Sequence, residues 1–383
     1  MDLKTKLSFW QTWLATLLFF GGFYTLTAQL PLYLSAVKIP DWQIGFISGA
    51  FGISSLVTRP LAGWLCDRVG TYKVISGSVI LFLGGVLPLS LSSDLWFLLV
   101  LRVLQASGYV GFTTAGTTII IKLLNPALRE RWLAWYGAAA NLAVTVTPLA
   151  LDLSRARNNS EISFYLAALL ASFGLALLIW TKELRPVQNS NTNLKLYQTL
   201  KFVVLPGTFA FVAGVCFGTF LQFTPLLADE AKGISTGLIY TSYGISIILV
   251  RLLMWRTLSA TFQRIVLPLG FGLLATGLAT FAFSPAYEFY LLGAAILAFG
   301  SGMQTPILIG LHLNALPSTM QGRAVALYYL GFDGGIGLGT WLLTPVLAIW
   351  GLQGLFAGAA LTALIGLIIW LGFNKRTGVK NAN

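Results

Sequence analysis

The chain has 383 residues, 56% of them hydrophobic and only 9% charged, with a net charge of +12. A soluble domain carries about 25% charged residues, so this composition excludes a water-facing globular surface. Together with a mean hydropathy of +0.80 it indicates a polytopic membrane protein. The long continuous apolar runs indicate helices; a membrane β-barrel would alternate over runs of about ten residues.

The N-terminus places Lys4 and Lys6 before an apolar run that continues to Val37. That run is too long for the apolar core of a secretory signal and lacks a convincing cleavage site, so it reads as a first membrane span. A spanning helix needs about 20 residues. Apolar runs between polar punctuation give twelve of them, at 8–37, 42–63, 74–92, 95–121, 132–151, 163–180, 203–228, 236–256, 265–284, 288–314, 323–349 and 353–373. The stretch 181–201, with Asn189-Ser190-Asn191-Thr192-Asn193, has loop composition and divides the chain six plus six. The expected organisation is an all-α membrane protein with an N-terminal six-helix bundle over 1–180, a cytoplasmic linker over 181–201 and a C-terminal bundle over 202–383.

The distribution of charge accounts for the basic balance without nucleic acid. With both termini in the cytoplasm, 19 of the 24 Lys and Arg fall in cytoplasmic segments. Lys38, Arg155, Arg157 and Lys232 fall outside, and Arg102 lies within a span. Acids run the other way, with Asp41, Asp94, Asp152, Glu161, Asp229, Glu230 and Glu288 outside. This is the positive-inside pattern, and it requires an even number of spans. The expected location is the plasma (inner) membrane, with the lipid bilayer as surroundings.

The two halves repeat. Shifting by 192 residues sets Gly45–Arg59 on Gly237–Arg251 with identities at Gly45, Ile47, Gly52, Ile53, Ser54 and Arg59. The same shift sets Arg131 on Arg323, Tyr136 on Tyr328 and Asn141 on Asp333. Parallel six-helix repeats with a midplane site at their interface are a transporter architecture.

The polar stretch Arg59–Lys73 interrupts two long apolar runs and reads as a tight cytoplasmic turn. Its Gly63, Asp67, Arg68, Gly70 and Lys73, with the preceding Arg59-Pro60, resemble the loop signature of the major facilitator superfamily. Thr71 and Tyr72 depart from that pattern, which usually has basic residues there. Arg102-Val103-Leu104-Gln105-Ala106-Ser107-Gly108 is similar to the family's Arg-x-x-Gln-Gly-x-Gly pattern in span four, with Ala106 in place of a Gly. Pro126 to Arg131, echoed at Pro317 to Arg323, resembles another family turn, and Phe332 to Gly339 is similar to span eleven of bacterial drug/proton antiporter-type efflux permeases. In span five Pro148 remains from the antiporter signature, but Thr147 replaces its Gly.

The resemblance implies a secondary transporter with alternating access, acting as a monomer on a small organic molecule and not as an enzyme. It also implies that Asp67 and its basic neighbours form a conformational latch, with Asp67 beside the N-terminal end of span eleven. A charge at a helix end is worth about 0.3–1 kcal/mol, a size that lets a latch reopen. The alternative is a charged turn that sets topology alone.

Arg102 stands seven residues inside span four, about 10 Å at 1.5 Å per residue. A buried arginine costs at least about 2.5–3.5 kcal/mol on insertion scales, so it needs a wet cavity or a partner. Two roles fit it: contact with a substrate anion or coupling to protonation, or else a structural arginine bonded to helix carbonyls. Gln105 and Tyr109 follow on its face and are candidate lining of a substrate cavity. Asp333 is the lone acid in the middle of a span, about 15 Å in, where desolvation suits a group that takes up and releases a proton; the alternative is a packing residue. Gln29, Asn141, Gln222 and Gln304 are candidate cavity lining or interhelical bonding partners. Tyr328 and Phe332 are candidates for an aromatic wall, or are packing residues. His312 reads as a satisfied interfacial histidine.

Other chemistries lack their motifs. No phosphate-cradling Gly-x-x-x-x-Gly-Lys-Ser/Thr loop occurs, so the proton gradient, with no cofactor, is the expected energy source. One His and two well-separated cysteines, Cys66 and Cys216, assemble neither a metal cluster nor a nucleophilic pair. The favoured reading is proton-coupled export. Drug-exporting relatives often carry an acid in span one, and Ser8 to Val37 has none. A proton-coupled or facilitative importer of a sugar or metabolite is therefore the alternative, with a non-transporting sensor or assembly protein as a third reading.

Overall fold

The computed structural model describes residues 3–123, 126–153, 159–179, 196–231, 235–254, 260–284, 286–316 and 321–380. Among these residues the secondary structure is helical, without strands. The helices are α1 (Leu3–Ala36), α2 (Asp41–Arg68), α3 (Thr71–Val86), α4 (Leu95–Leu123), α5 (Pro126–Leu153) and α6 (Ser160–Ile179), then α7 (Leu196–Glu230), α8 (Thr236–Met254), α9 (Ala260–Phe283), α10 (Tyr287–Asn314), α11 (Gln321–Gly334) and α12 (Thr340–Lys380). A short 3₁₀ turn, Leu89–Leu91, follows α3, and a π turn, Gly335–Gly339, joins α11 to α12. Most of the linker predicted over 181–201 lies outside the described residues.

Polar residues fix where several helices begin. Asp94 Oδ1 accepts a hydrogen bond from Phe97 N at 2.9 Å and caps α4. Asn159 Oδ1 accepts from Glu161 N and Ile162 N at 3.1 and 3.2 Å and caps α6. Ser235 Oγ accepts from Leu238 N at 3.1 Å at the start of α8. Such caps satisfy the first N–H groups of a helix, which have no partner within it.

Ten described segments are long and apolar enough to cross a membrane. The last, Ala324–Gly372, is 49 residues long. At 1.5 Å per residue it would reach about 70 Å as one helix, over twice the hydrocarbon thickness. It breaks at Gly351, whose backbone (φ 66°, ψ −166°) is not helical, and so supplies two spans. Apolar side chains cover the outside: Leu342, Ile349 and Ile368 are about two-thirds exposed or more, at 70%, 70% and 67%. That is the surface a bilayer accepts and water does not.

The polar stretch Arg59–Lys73 is less of a loop than its composition predicts. α2 continues through Arg68, and only Val69 and Gly70 separate it from α3. α2 stays helical through Gly63, and the turn waits for Gly70. Gly70 has φ 94°, a conformation that costs an L side chain about 1–2 kcal/mol.

The chain forms two units, residues 1–191 with 235–241, and residues 192–234 with 242–383. In the first, α1 packs against α5 and α6, α2 against α4, and α3 against α4 and α6. In the second, α7 packs against α11, the π turn and α12, and α9 against α10 and α12. The pairings α1–α5, α1–α6, α3–α4 and α3–α6 thus recur six helices later. The repeat offset is visible in the boundaries as well: adding 192 to Leu95, where α4 begins, gives Tyr287, where α10 begins. Stacked aromatics fill each core, Phe19 on Phe112 at 3.9 Å in the first unit and Phe281 on Phe356 at 5.2 Å in the second.

α7 and the π turn meet backbone to backbone. A Cβ on Gly335 would sit 2.9 Å from Phe211 C and Val215 N; one on Gly214 would sit 2.9 Å from Phe332 C and 3.1 Å from Gly335 Cα. Overpacking of this kind costs about 1–3 kcal/mol. Gly335→Ala is therefore expected to lower the apparent melting temperature of the detergent-solubilised protein followed by tryptophan fluorescence. An unchanged melt would show that the two backbones part freely.

Candidate functional site

The first unit buries a charge. Arg102, seven residues into α4, is 3% exposed. Its Nη1 donates to Gln105 Oε1 at 3.0 Å, and Gln105 Nε2 donates to Gly85 O on α3 at 2.6 Å. One turn of helix separates Arg102 from Gln105, so both side chains lie on one face. The contact with α3 then fixes which way the carboxamide oxygen points. The guanidinium also stands over the Phe51 ring of α2, 4.8 Å from its centroid. Its Nε is buried without a hydrogen-bond partner. Among the described residues, no carboxylate lies within ion-pair distance of Arg102.

Tyr109, predicted to share that face, belongs to an aromatic cluster. It lies 4.4 Å from Phe23, 5.3 Å from Phe51 and 5.6 Å from Phe20, centroid to centroid. Tyr24 packs against Phe23 at 5.3 Å. α1, α2 and α4 together surround Arg102's neighbourhood with rings. Gln29 stands apart from this group, buried, with Nε2 donating to Ser160 Oγ at the start of α6 at 3.0 Å. Asn141 is half-buried on α5, and its carbonyl accepts from Thr145 Oγ1 at 2.6 Å.

The second unit buries an acid. Asp333, near the end of α11, is 5% exposed and sits two residues before the π turn. Interruptions of this type recur at functional sites in helices. Tyr328 is 2% exposed and stacks on Phe332 at 5.8 Å; Phe332 in turn lies 5.7 Å from Phe217 on α7. His312, fully buried, meets Tyr328 edge-on at 5.8 Å, and its Nδ1 lies 2.7 Å from Leu308 O. Gln222 Nε2 reaches Thr340 Oγ1 at 3.5 Å, and Gln304 Nε2 donates to Leu267 O on α9 at 3.2 Å. Gln304 also fills the space beside Gly270, so its carbon stem packs between α9 and α10. The structure therefore groups Asp333, Tyr328 and Phe332 on α11 and ties Gln304 to a neighbouring helix.

In the predicted latch, Arg59 is half-buried and Gly63 partly buried on the last turns of α2, and Lys73 is exposed at the start of α3. The Arg68 guanidinium covers the Trp64 ring at 4.6 Å. The side chain of Asp67 lies outside the described residues.

One arrangement escaped the sequence reading. Within the first unit, Asp152 Oδ2 accepts from Ser235 Oγ and from Gly237 N, both at 2.6 Å. Thr241 Oγ1 donates to Thr145 O at 2.7 Å, and the backbone of Gly237 lies against Pro148 and Leu149. On the sequence Asp152 counted only as an outer-side acid. The available signal was Ser235-Thr236-Gly237, a helix start with free N–H groups and no bulk, at which a carboxylate is stabilised.

The sequence profile of the Major Facilitator Superfamily matches residues 12–256 and 210–383. An uncharacterised MFS-type transporter of Salmonella typhimurium is 28% identical over 364 residues, covering 89% of this chain and 90% of that protein. The staphylopine export protein of Staphylococcus aureus is 23% identical over 379 residues, covering 94% of each. The multidrug resistance protein MdtG of Proteus mirabilis is 28% identical over 155 residues, 39% of each chain. Among solved structures, the nucleoside transporter NupG superposes with a TM-score of 0.81 at 14% identity, covering 97% of this chain and 99% of that one. A POT family transporter superposes with a TM-score of 0.76 at 13% identity, covering 96% of each. With paired six-helix repeats, membrane-crossing helices and a profile match spanning nearly its whole length, the chain belongs to the Major Facilitator Superfamily and is a secondary transporter of small solutes.

Proposed function

We propose that the protein exports a small organic solute by alternating access, driven by the proton gradient. The observation that carries the coupling is the burial of Asp333, at 5% exposure, within a membrane helix. An acid inside a membrane helix is costly to keep there, and such acids mark proton pathways in transporters. Arg102 supplies the matching fixed positive charge in the other half of the chain. The direction is supported by the likeness to the staphylopine export protein, which extends over 94% of both chains. The protein works as a monomer in the plasma (inner) membrane with both termini cytoplasmic, as its charge distribution favours. It needs no cofactor.

A second reading has one observation in its favour. α1 carries no Asp or Glu anywhere along Leu3–Ala36, so the acid that drug exporters often hold there is missing. Facilitative or proton-coupled uptake of a metabolite is consistent with that.

Flux in proteoliposomes with an imposed pH gradient separates the readings. Export predicts counterflow of solute against protons that collapses with the gradient. Accumulation indifferent to the gradient would remove coupling. Asp333→Asn is expected to leave the protein folded and abolish gradient-driven flux while retaining exchange of solute. Unchanged pH-dependent flux in that variant would eliminate Asp333 as the proton site.

The latch makes a separate claim. Arg59, Gly63, Asp67, Arg68, Gly70 and Lys73 steady one end state, and the equivalent stretch of the repeat has Ser259 and Ala260 where Asp67 and Arg68 stand. Asp67→Asn is expected to shift the accessibility of single cysteines introduced on the two faces, read by thiol labelling, by a factor of about 2–5, the equivalent of about 0.3–1 kcal/mol. Identical labelling would leave the stretch with topology as its sole role.

A further inference from the structure

We propose that α7 and the π turn after α11 hold a dehydrated monovalent cation, bound by the side-chain oxygens of Thr219, Gln222 and Thr340 and by the backbone of the turn. Such a site goes beyond the transport reading and depends neither on the direction of flux nor on proton coupling.

The fold leaves two oxygens unbonded on one side of α7. Thr219 is fully buried and Gln222 is 3% exposed. Thr219 Oγ1 and Gln222 Oε1 are both buried without a hydrogen-bond partner. Thr224, on the same helix, shows the ordinary solution, with Oγ1 donating to Phe220 O at 2.6 Å. Residues three apart are neighbours on a helix surface, so the two oxygens belong to one patch. Other unpartnered oxygens, such as Thr114 Oγ1 and Gln304 Oε1, stand on other helices. A buried polar group left unbonded lowers stability, and native folds give nearly all of them a partner in protein, water or an ion.

That patch borders the π turn. A Cβ on Gly218 would lie 3.0 Å from Ile336 Cα, so α7 and the turn touch beside Thr219. Gln222 Nε2 stands 3.5 Å from Thr340 Oγ1, beyond the usual span of a good hydrogen bond. The Thr340 hydroxyl donates to Ile336 O at 2.5 Å, which leaves its oxygen lone pairs available. The turn reads Gly335-Ile336-Gly337-Leu338-Gly339, and three glycines in five residues leave its carbonyls little shielded by side chains. Interrupted membrane helices coordinate cations through carbonyls of this kind.

The donor set selects the ion. Oxygen ligands suit hard cations. None of the three side chains is charged, and Asp333, buried two residues before the turn, is the acid on α11. One carboxylate balances one positive charge, whereas divalent ions are held by several carboxylates or keep their waters. A bare sodium or potassium ion takes up no more room than a water molecule, so converging oxygens suffice without a cavity of ligand size.

The test is thermal melting of the full-length protein in detergent, followed by tryptophan fluorescence, in sodium, potassium or choline chloride at equal ionic strength. Choline is too large for the site and serves as the reference. Sodium or potassium is expected to raise the midpoint saturably by about 2–4 °C. Thr219→Val keeps the shape and removes the oxygen. It is expected to abolish the rise and leave the midpoint in choline chloride unchanged, because no hydrogen bond is lost. Thr219→Ser, which retains the oxygen, is expected to retain the rise. Should Thr219→Val not fold, Gln222→Leu is expected to increase the half-saturating cation concentration about tenfold or more. Equal midpoints in the three salts would overturn the proposal and assign these oxygens a buried water. A rise that survives both substitutions would overturn it by placing the ion elsewhere. Cation-dependent melting in a protein that moves no solute would support the site and remove the transport reading. Solute flux with melting indifferent to the cation would do the reverse.

Discussion

Hydrocarbon gives a buried charge nothing to bond to, and that constraint decides which residues of this chain ask for an explanation. An apolar side chain in a membrane helix costs nothing there, and a threonine bonds back to its own helix, as Thr25 and Thr27 do to Gly21 O and Phe23 O. Arg102 and Asp333 are charged groups, which cost more to bury than a hydroxyl. Each sits in a helix that is otherwise fit to dissolve in lipid, and each is nearly fully buried. The protein meets the cost of Arg102 only in part, through one carboxamide and one ring face.

The same constraint explains the surroundings. Backbone groups must be bonded within each segment, so the scaffold is helix after helix, and approach between helices is set by side-chain size. Where α7 meets α11, glycines bring the backbones close enough to exclude side chains. Where α1, α2 and α4 meet around Arg102, phenylalanine and tyrosine rings fill the contact.

Hydropathy made the spans legible, because a bilayer fixes both the length and the composition of what crosses it. The start of α10 is recoverable from the start of α4 by a constant offset. The burial of Arg102, Gln105 and Asp333 follows from their positions in those spans. What escaped is geometry that depends on a neighbour. Gln105 looked like cavity lining; its bond to Gly85 makes it a clamp for the arginine. Gln304 looked the same, yet its stem fills the space beside Gly270. Nothing in the run Arg59–Lys73 marks which polar residues are helical: α2 continues through Gly63 to Arg68, and Gly70 takes the turn. Asp152 needed its partner Ser235, 83 residues away, to show itself as a helix cap.

The π turn at Gly335–Gly339 has a consequence for the duplication. α5 runs as uninterrupted α-helix through the positions equivalent to α11, so the two copies of this helix are wound differently. A π turn holds one residue more than an α turn, and one residue is about 100° of rotation about an α-helix axis. Asn141 and Asp333 therefore correspond both in sequence and in angular position, whereas residues beyond the turn correspond in sequence alone. Thr340, which Gln222 reaches at 3.5 Å, lies just beyond the turn. The change of winding in this one helix thus comes immediately after its buried acid.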